Sequence, residues 1–214
     1  MRKYTIICFI AWCTACMIFY ALSLNARALS GNLYINFFLL SAVEVPALIG
    51  AYFCLRTNLL GRKVTNTLMY LIAGISCLII VPLIIFYGKS HITTFLAILG
   101  KAGAAAGFSA IYLYTAELFP TEIRNLGMAV SSFAARIGSI IAPYVGGSLG
   151  RVWTPLPSLI FGITATVTGI LILLLPETKG RVLKDTVEEE ERDRQKIKPS
   201  ASLSKPVELL HLNT

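Results

Sequence analysis

The sequence predicts an all-α membrane protein, a bundle of six transmembrane helices, and three observations support this. Of its 214 residues, 56% are hydrophobic and 14% are charged, which is about half the charged fraction of a soluble domain. The mean hydropathy is +0.71. Apolar residues form long stretches, and basic residues lie in the short loops between them. The net charge of +8 therefore indicates membrane topology rather than nucleic acid as a partner.

Six stretches reach the roughly 20 residues that a helix needs to cross a bilayer core. None alternates with the period of two that a barrel strand requires. The first follows two basic residues, as a signal peptide does, but its apolar run is longer than usual and five more spans follow it, so we expect a retained helix. The predicted spans are Tyr4–Leu24, Leu33–Leu55, Val64–Tyr87, Ile92–Ala116, Leu126–Gly147 and Leu156–Leu175.

Lys and Arg residues beside the spans predict the orientation. Nine lie on one side and three on the other, which places both termini in the cytoplasm. Residues 1–176 would form the bundle, and residues 177–214 a cytoplasmic tail with a short charged helix and a disordered end. The nine are Arg2, Lys3, Arg56, Arg62, Lys63, Arg124, Lys179, Arg181 and Lys184, and the three are Arg27, Lys89 and Arg151.

Three ionisable residues, Glu44, Lys101 and Arg136, fall inside the predicted spans. Each costs about 2.5–3.5 kcal/mol at a helix centre, so such residues usually face a bundle interior or a wet cavity. Glu44 and Lys101 neutralise each other if their helices touch, and Arg136 is then left without a partner. An unmatched guanidinium in a cavity suits a carboxylate, which indicates an anionic or zwitterionic cargo.

Small and aromatic residues in the spans have both structural and functional interpretations. Gly100, Gly103 and Gly107 recur at helical spacing, which favours close helix packing. Pro143 favours either a bend or packing in the fifth span. Aromatic rings that face a cavity can stack on a quaternary ammonium through cation–π attraction.

The sequence shows none of the patterns expected of an enzyme. The five cysteines lie in apolar segments, where they are expected to pack as small apolar groups. We find no nucleophile–base set, phosphate loop or metal cluster, so we expect neither enzymatic activity nor a cofactor.

Three loop motifs resemble those of the major facilitator superfamily: "NLLGRK" from Asn58, "ELFPTEIR" from Glu117 and "PETKG" from Pro176. More narrowly, "YALSLN", "AVEVPA", "YTAELFPTEIRNLG" and "SSFAARIGSIIAPY" look like the organic cation/carnitine branch, the solute carrier 22 family. The similarity runs from about residue 3 to residue 185. It covers the second half of such a transporter, helices seven to twelve.

The resemblance implies a cargo site. Glu44 sits where organic-cation members keep an acidic residue facing the cavity. Arg136 sits where organic-anion and carnitine-type members tend to have arginine, and Phe19 and Tyr20 occupy the position of an aromatic pair. Lys101 completes the expected binding set. Glu44 and Arg136 together would suit a zwitterion, with its ammonium toward the first and its carboxylate toward the second.

Four charged loop residues form a second predicted site. We expect Arg62, Glu117, Arg124 and Glu177 to form an ion-pair network that holds the cytoplasmic side closed. The alternative is that they are solvated loop charges. Asn58 replaces the usual loop aspartate, which weakens any ion pair that depends on it. Leu48 stands where some organic-anion members have lysine, which disfavours a purely dianionic cargo.

The expected function is alternating-access transport of organic cations or carnitine-like zwitterions, with this chain as a partial transporter in the plasma membrane. One six-helix half supplies only one wall of a cavity, so the expected partners are the small organic ion, membrane lipid, and a missing N-terminal bundle or a second copy. Three alternatives stay open: a truncated, non-transporting regulatory isoform, an organic-anion transporter half, and a sugar or proton-coupled porter. Few polar amide clusters in the spans argue against the last.

Overall fold

A computed structural model describes residues 2–24, 26, 29–56, 61–88 and 90–180. Helices account for nearly all of these residues, and no strand occurs among them. The predicted charged helix and disordered end fall at residues 181–214, and Asn58 falls in the gap at residues 57–60, so all three lie outside the described residues. The helices are α1 (Arg2–Leu24), α2 (Leu33–Ala42), α3 (Glu44–Arg56), α4 (Arg62–Tyr87), α5 (His91–Leu118), α6 (Arg124–Pro143), a π-helix (Tyr144–Leu149), α7 (Gly150–Val152) and α8 (Leu156–Ile172).

The all-helical membrane fold is confirmed, and the first five predicted spans each correspond to a helical stretch long and apolar enough to cross a bilayer. The sixth is shorter than predicted, since α8 has 17 residues and a length of about 26 Å. Beyond it, Leu173, Leu174 and Leu175 donate their backbone N–H groups to carbonyls three residues back. A proline disfavours the α conformation of the residue before it. Pro176 therefore explains why the α-helix does not continue through Leu175.

The second span is interrupted at Val43, and Pro46 provides the physical cause. Proline has no backbone N–H, so residue 46 cannot donate to the carbonyl of Ala42, four residues earlier. On either side of the missing bond, the Val43 N–H donates a hydrogen bond to the Leu39 carbonyl at 3.0 Å, and the Ala47 N–H donates one to the Val43 carbonyl at 3.1 Å. The break makes Glu44 the first residue of α3.

Helix α1 lies at the centre of the bundle and packs against α5, α6 and α8, while α4 packs against α5 and α8. Small residues allow these close approaches. A Cβ at Gly138 on α6 would overlap with the Cys13 backbone carbonyl on α1, and one at Gly103 on α5 would lie 2.9 Å from the Ala73 nitrogen on α4. Close packing of the glycine-rich fifth helix is therefore observed.

The second half of the predicted fifth span changes its helical form. Helix α6 ends at Pro143, and the chain continues as the π-helix. Proline removes the bond from position 143 to the Ser139 carbonyl, and π-helical turns bond five residues back rather than four. At this proline the helix therefore continues as a widened segment.

Candidate functional site

Lys101 is buried in the middle of the bundle, and its ammonium has a full set of partners. Its side chain is 1% exposed, and its Nζ lies 3.0 Å from Glu44 Oε1. It also donates to the Phe19 carbonyl at 3.2 Å and to Ser23 Oγ at 2.5 Å. The Phe19 ring lies beside it, with 3.1 Å between Nζ and the ring centroid. Since an ammonium has three N–H donors, Lys101 has none left for a cargo.

Glu44 is the exposed member of this pair, with a side chain that is 32% exposed. It reaches Lys101 from the first turn of α3, immediately after the break at Val43. The sequence left open whether these two charges pair, and the structure brings them together. Glu44 is then the member of the pair placed to meet a cargo, although its predicted binding role stays a prediction.

Aromatic side chains from α1 and α5 form a continuous patch, which comprises Phe19, Tyr20, Phe108 and Tyr112. Phe19 contacts Tyr20 edge-on, with ring centroids 5.5 Å apart, and stacks on Phe108 at 6.3 Å. Phe108 in turn contacts Tyr112 at 5.3 Å. Tyr20 is 45% exposed and Tyr112 is 39% exposed, so the patch has an open surface.

Trp12 packs against the buried side of the patch, where its ring contacts Phe108 and Tyr112. It is fully buried, lies 4.1 Å from Tyr112 between ring centroids, and donates its indole N–H to Thr115 Oγ1 at 2.9 Å. Sequence reasoning missed both Trp12 and Phe108. The spacing of Lys101, Phe108 and Tyr112 was an available signal, because residues seven and four apart share one helix face.

Helix α6 has three faces, and Arg136 lies on neither the face that packs against α1 nor the most apolar face. It is exposed, and its guanidinium has no hydrogen-bond or ion-pair partner within the described ranges. Ser132 and Ser139, four residues before and three after it, share its face. We call these three residues the polar stripe. The packed face carries Ser131, Ala134, Ala135, Gly138 and Ala142, and the apolar face carries Phe133, Ile137, Ile140 and Tyr144.

The contact between α6 and α1 sets the depth of Arg136. Gly138 meets the Cys13 carbonyl, and two residues along a helix correspond to about 3 Å. Because the first and fifth spans run in the same direction, Arg136 lies about level with Ala11, near the middle of α1 (Arg2–Leu24). Trp12 and Tyr112 lie at this level too, so the guanidinium is level with the Tyr112 end of the aromatic patch, about 12 Å along α1 from Phe19.

At one end of the bundle, charged residues join α4, α5 and the segment after α8. Arg62 Nε donates to both Glu117 oxygens, at 3.1 and 3.2 Å. Thr178 Oγ1 donates to Glu117 Oε2 at 2.8 Å. The Glu177 carboxylate accepts from the backbone N–H groups of Arg62 at 2.7 Å and Lys63 at 3.2 Å. We call Arg62, Glu117, Glu177 and Thr178 the Arg62 network.

Glu177 caps the first turn of α4 from outside that helix. The N-cap residue of α4 is Gly61, which provides no side-chain hydrogen bond. A Cβ at Gly61 would overlap with the Glu177 carboxylate. Glycine is thus required for a carboxylate 115 residues further along the chain to reach the free N–H groups of the helix.

Arg124 is the predicted member that the structure leaves outside this network. Its Nη2 donates to Thr121 Oγ1 at 3.3 Å, and no carboxylate in the described part of the chain lies within 4 Å of it. Three of the four predicted network residues are therefore in contact, with Thr178 as an unpredicted fourth. A role in closing the cytoplasmic side stays a prediction.

Comparison with known proteins places these features in context. Residues 4–212 match the model of the Major Facilitator Superfamily. The chain is 40% identical over 193 residues to solute carrier family 22 member 3 of Mus musculus, which covers 90% of this chain and 34% of that protein. It is 36% identical over 201 residues to the organic cation transporter protein of Drosophila melanogaster, covering 93% and 35%. It is 38% identical over 203 residues to solute carrier family 22 member 1 of Oryctolagus cuniculus, covering 94% and 36%.

The chain thus spans about a third of the length of the curated relatives it matches, 34% to 36% in these three. All three are named as carriers or transporters rather than as enzymes.

Proposed function

Because the chain belongs to the major facilitator superfamily, we propose that it forms one half of a transporter for small organic cations or carnitine-like zwitterions. The half corresponds to helices seven to twelve of the family fold. Transport proceeds by alternating access, in which two six-helix bundles rock around a site near the bilayer midplane. The name of the Drosophila melanogaster relative, organic cation transporter protein, supports this substrate class.

The open aromatic patch beside Glu44 is the observation that carries this proposal. Tyr20 and Tyr112 present exposed rings, and a cation over an aromatic face gains about 0.5–2 kcal/mol. The Glu44 carboxylate, whose side chain is 32% exposed, lies next to this surface and is paired with Lys101. Aromatic surfaces of this kind recognise quaternary ammonium groups through cation–π attraction.

The balance of charge favours a zwitterion over a simple cation. Lys101 neutralises Glu44 at 3.0 Å, so Arg136, which lies about level with Ala11 further along the bundle, is left as an uncompensated positive charge. A guanidinium without a partner binds a carboxylate through two parallel hydrogen bonds. The same observation supports an organic anion as the second candidate cargo.

Uptake measurements on the complete transporter that contains this chain test the proposal. Arg136→Asp is expected to lower carnitine uptake at least about tenfold, since a hydrogen bond to a charged group contributes about 1.5–3 kcal/mol. Uptake of tetraethylammonium, which has no carboxylate, should be retained. Arg151→Asp provides the matched control, because Arg151 is an exposed arginine far from the patch. Unchanged selectivity in Arg136→Asp would rule out the zwitterion site, and loss of anion uptake alone would favour the second candidate.

The Arg62 network is proposed to hold the cytoplasmic ends of α4, α5 and the segment after α8 together while that side is closed. Arg62 and Glu117 are only 19% and 21% exposed, so water screens their attraction incompletely. Glu117→Lys should change the transport rate. An unchanged rate would mean that these residues act only as solvated loop charges.

The proposed location is the plasma membrane, with several spans and both termini in the cytoplasm. The companion is either an N-terminal six-helix bundle or a second copy of this chain. Crosslinking in membranes separates a monomer, a homodimer and a mixed complex. A chain that pairs with a complete transporter and lowers its activity would indicate the regulatory alternative.

A further inference from the structure

A cavity of about 210 Å³ lies among the helices at the end opposite the Arg62 network. Leu22 at the end of α1, Ile80 and Ile84 near the end of α4, and Ala97 near the start of α5 line it. Along α4, these isoleucines lie 18 and 22 residues beyond Arg62, which corresponds to about 27–33 Å. The cavity is therefore separate from the network.

The cavity is also separate from the proposed cargo site. Its wall includes Gly146 and Gly150, which begin ten residues after Arg136, or about 15 Å along the helix. Ala97 lies one turn before Lys101, but Lys101 itself does not line the cavity.

The π-helix helps to create this space. Gly146 lies within it and Gly150 follows it directly, so no side chain projects from these two positions into the cavity. Pi-helical segments are rare and occur frequently at functional sites. The widened helix and the cavity therefore lie at the same place.

The lining chemistry defines what the cavity can hold. Within the described part of the chain its lining contains no charged residue, and burying an ion among these residues without a partner would be strongly unfavourable. Most of the lining is aliphatic. Thr154 and Ser158 provide hydroxyl groups that make no hydrogen bond to the described part of the chain. One region of the wall can therefore exchange hydrogen bonds with a neutral ligand.

We propose that this cavity binds a small neutral molecule with an apolar body and one hydroxyl group. A cavity of about 150 Å³ lined by aliphatic residues and phenylalanine holds benzene. A volume of about 210 Å³ suits a benzene ring with a few added atoms, such as a substituted phenol. Because α1, α4, α5 and α8 all contribute to the wall, an occupant braces them against one another and modulates transport without competing with the ionic cargo.

The probe for the test is 4-(trifluoromethyl)phenol, observed by fluorine NMR with the complete transporter in lipid nanodiscs. Ala97→Leu fills the cavity from α5 and should weaken binding at least tenfold. Ala102→Leu, on the same helix but outside the lining, should bind as the unaltered protein does. Ser158→Ala should weaken binding about threefold to tenfold by removing one hydrogen bond. The anion 4-(trifluoromethyl)benzoate should not compete.

Three results would overturn the proposal. The first is equal binding to Ala97→Leu and Ala102→Leu, or equal signal from nanodiscs without protein, because both indicate partition into lipid. The second is competition by the benzoate. The third is a single phospholipid retained in native mass spectra and lost in Ala97→Leu, which would assign the cavity to an acyl chain. Ile84→Phe fills the same space from α4 and replaces Ala97→Leu if that variant does not fold.

Discussion

The two charges of the buried ion pair differ sharply in their exposure, and this determines how each responds to loss of its partner. Lys101 is 1% exposed, whereas Glu44 is 32% exposed. If Lys101 is removed, the Glu44 carboxylate can still be hydrated. If Glu44 is removed, an ammonium is left in the bundle interior with only neutral partners, and a buried charge without a counter-charge is strongly destabilising.

We therefore expect Glu44→Leu to lower the free energy of unfolding by about 3 kcal/mol and Lys101→Met to lower it less. The double variant Glu44→Leu/Lys101→Met should recover most of this loss, because apolar replacements of a whole buried pair are often neutral. Thermal unfolding in detergent measures all three. Glu122→Leu, at an exposed position without a carboxylate–ammonium pair, is the control. Additive losses in the double variant would contradict a coupled pair.

At the scale of the element, α6 is informative because three surfaces of different chemistry run along it. The packed face is made of small residues against α1, the apolar face suits lipid, and the polar stripe with Arg136 suits water or a companion bundle. A guanidinium pointing into hydrocarbon would be costly. This free-energy cost is avoided only if the polar stripe borders an aqueous space.

Accessibility to a water-soluble thiol reagent distinguishes these surfaces. In a variant without the five native cysteines, Ser132→Cys on the polar stripe should react readily with a charged maleimide. Phe133→Cys, one residue later on the apolar face, should be protected by lipid and react at least about tenfold more slowly. Comparable rates at the two positions would show that the stripe does not face water.

The sequence predicted helices better than it predicted their interruptions and contacts. The lengths of the apolar stretches located five spans to within a few residues, because a helix needs about 20 apolar residues to cross a bilayer core. Pro46 and Pro143 were visible in the sequence, but proline inside a membrane helix is often tolerated, so neither the break at Val43 nor the π-helix followed from it. Pro176 similarly shortened α8.

Contacts between helices were harder to predict, because hydropathy does not reveal which face of one span meets another. The pairing of Glu44 with Lys101 was one of two open alternatives. Trp12 and Phe108 were missed since an aromatic residue in an apolar span is equally consistent with lipid, core or cavity. Arg124 shared its sequence motif with Glu117, yet the structure places it on Thr121.

At the scale of the whole molecule, the Arg62 network ties distant parts of the chain into one end of the bundle. We expect Gly61→Ala to displace the Glu177 carboxylate, because the added methyl group would overlap with it. The first turn of α4 then loses its cap, which lowers the stability of that turn by about 1 kcal/mol. Hydrogen exchange of the Arg62 and Lys63 amides should accelerate about fivefold.

Gly50→Ala is the matched control for this experiment. Gly50 lies within α3, and a Cβ there would meet nothing within 4 Å. Exchange in α4 should be unchanged in this variant. Glu177→Ala should reproduce the effect of Gly61→Ala, and protection of the two amides in either variant would contradict capping by Glu177.

The reach of Glu177 back to α4 also has a consequence for biosynthesis. The cap and the N–H groups that it binds are 115 residues apart, and ribosomes add about 5–20 residues per second. The start of α4 therefore waits about 6 to 23 seconds in the nascent chain before its acidic partner is made. Until Glu177 is made, the first-turn N–H groups of Arg62 and Lys63 lack the carboxylate that accepts their hydrogen bonds in the folded chain.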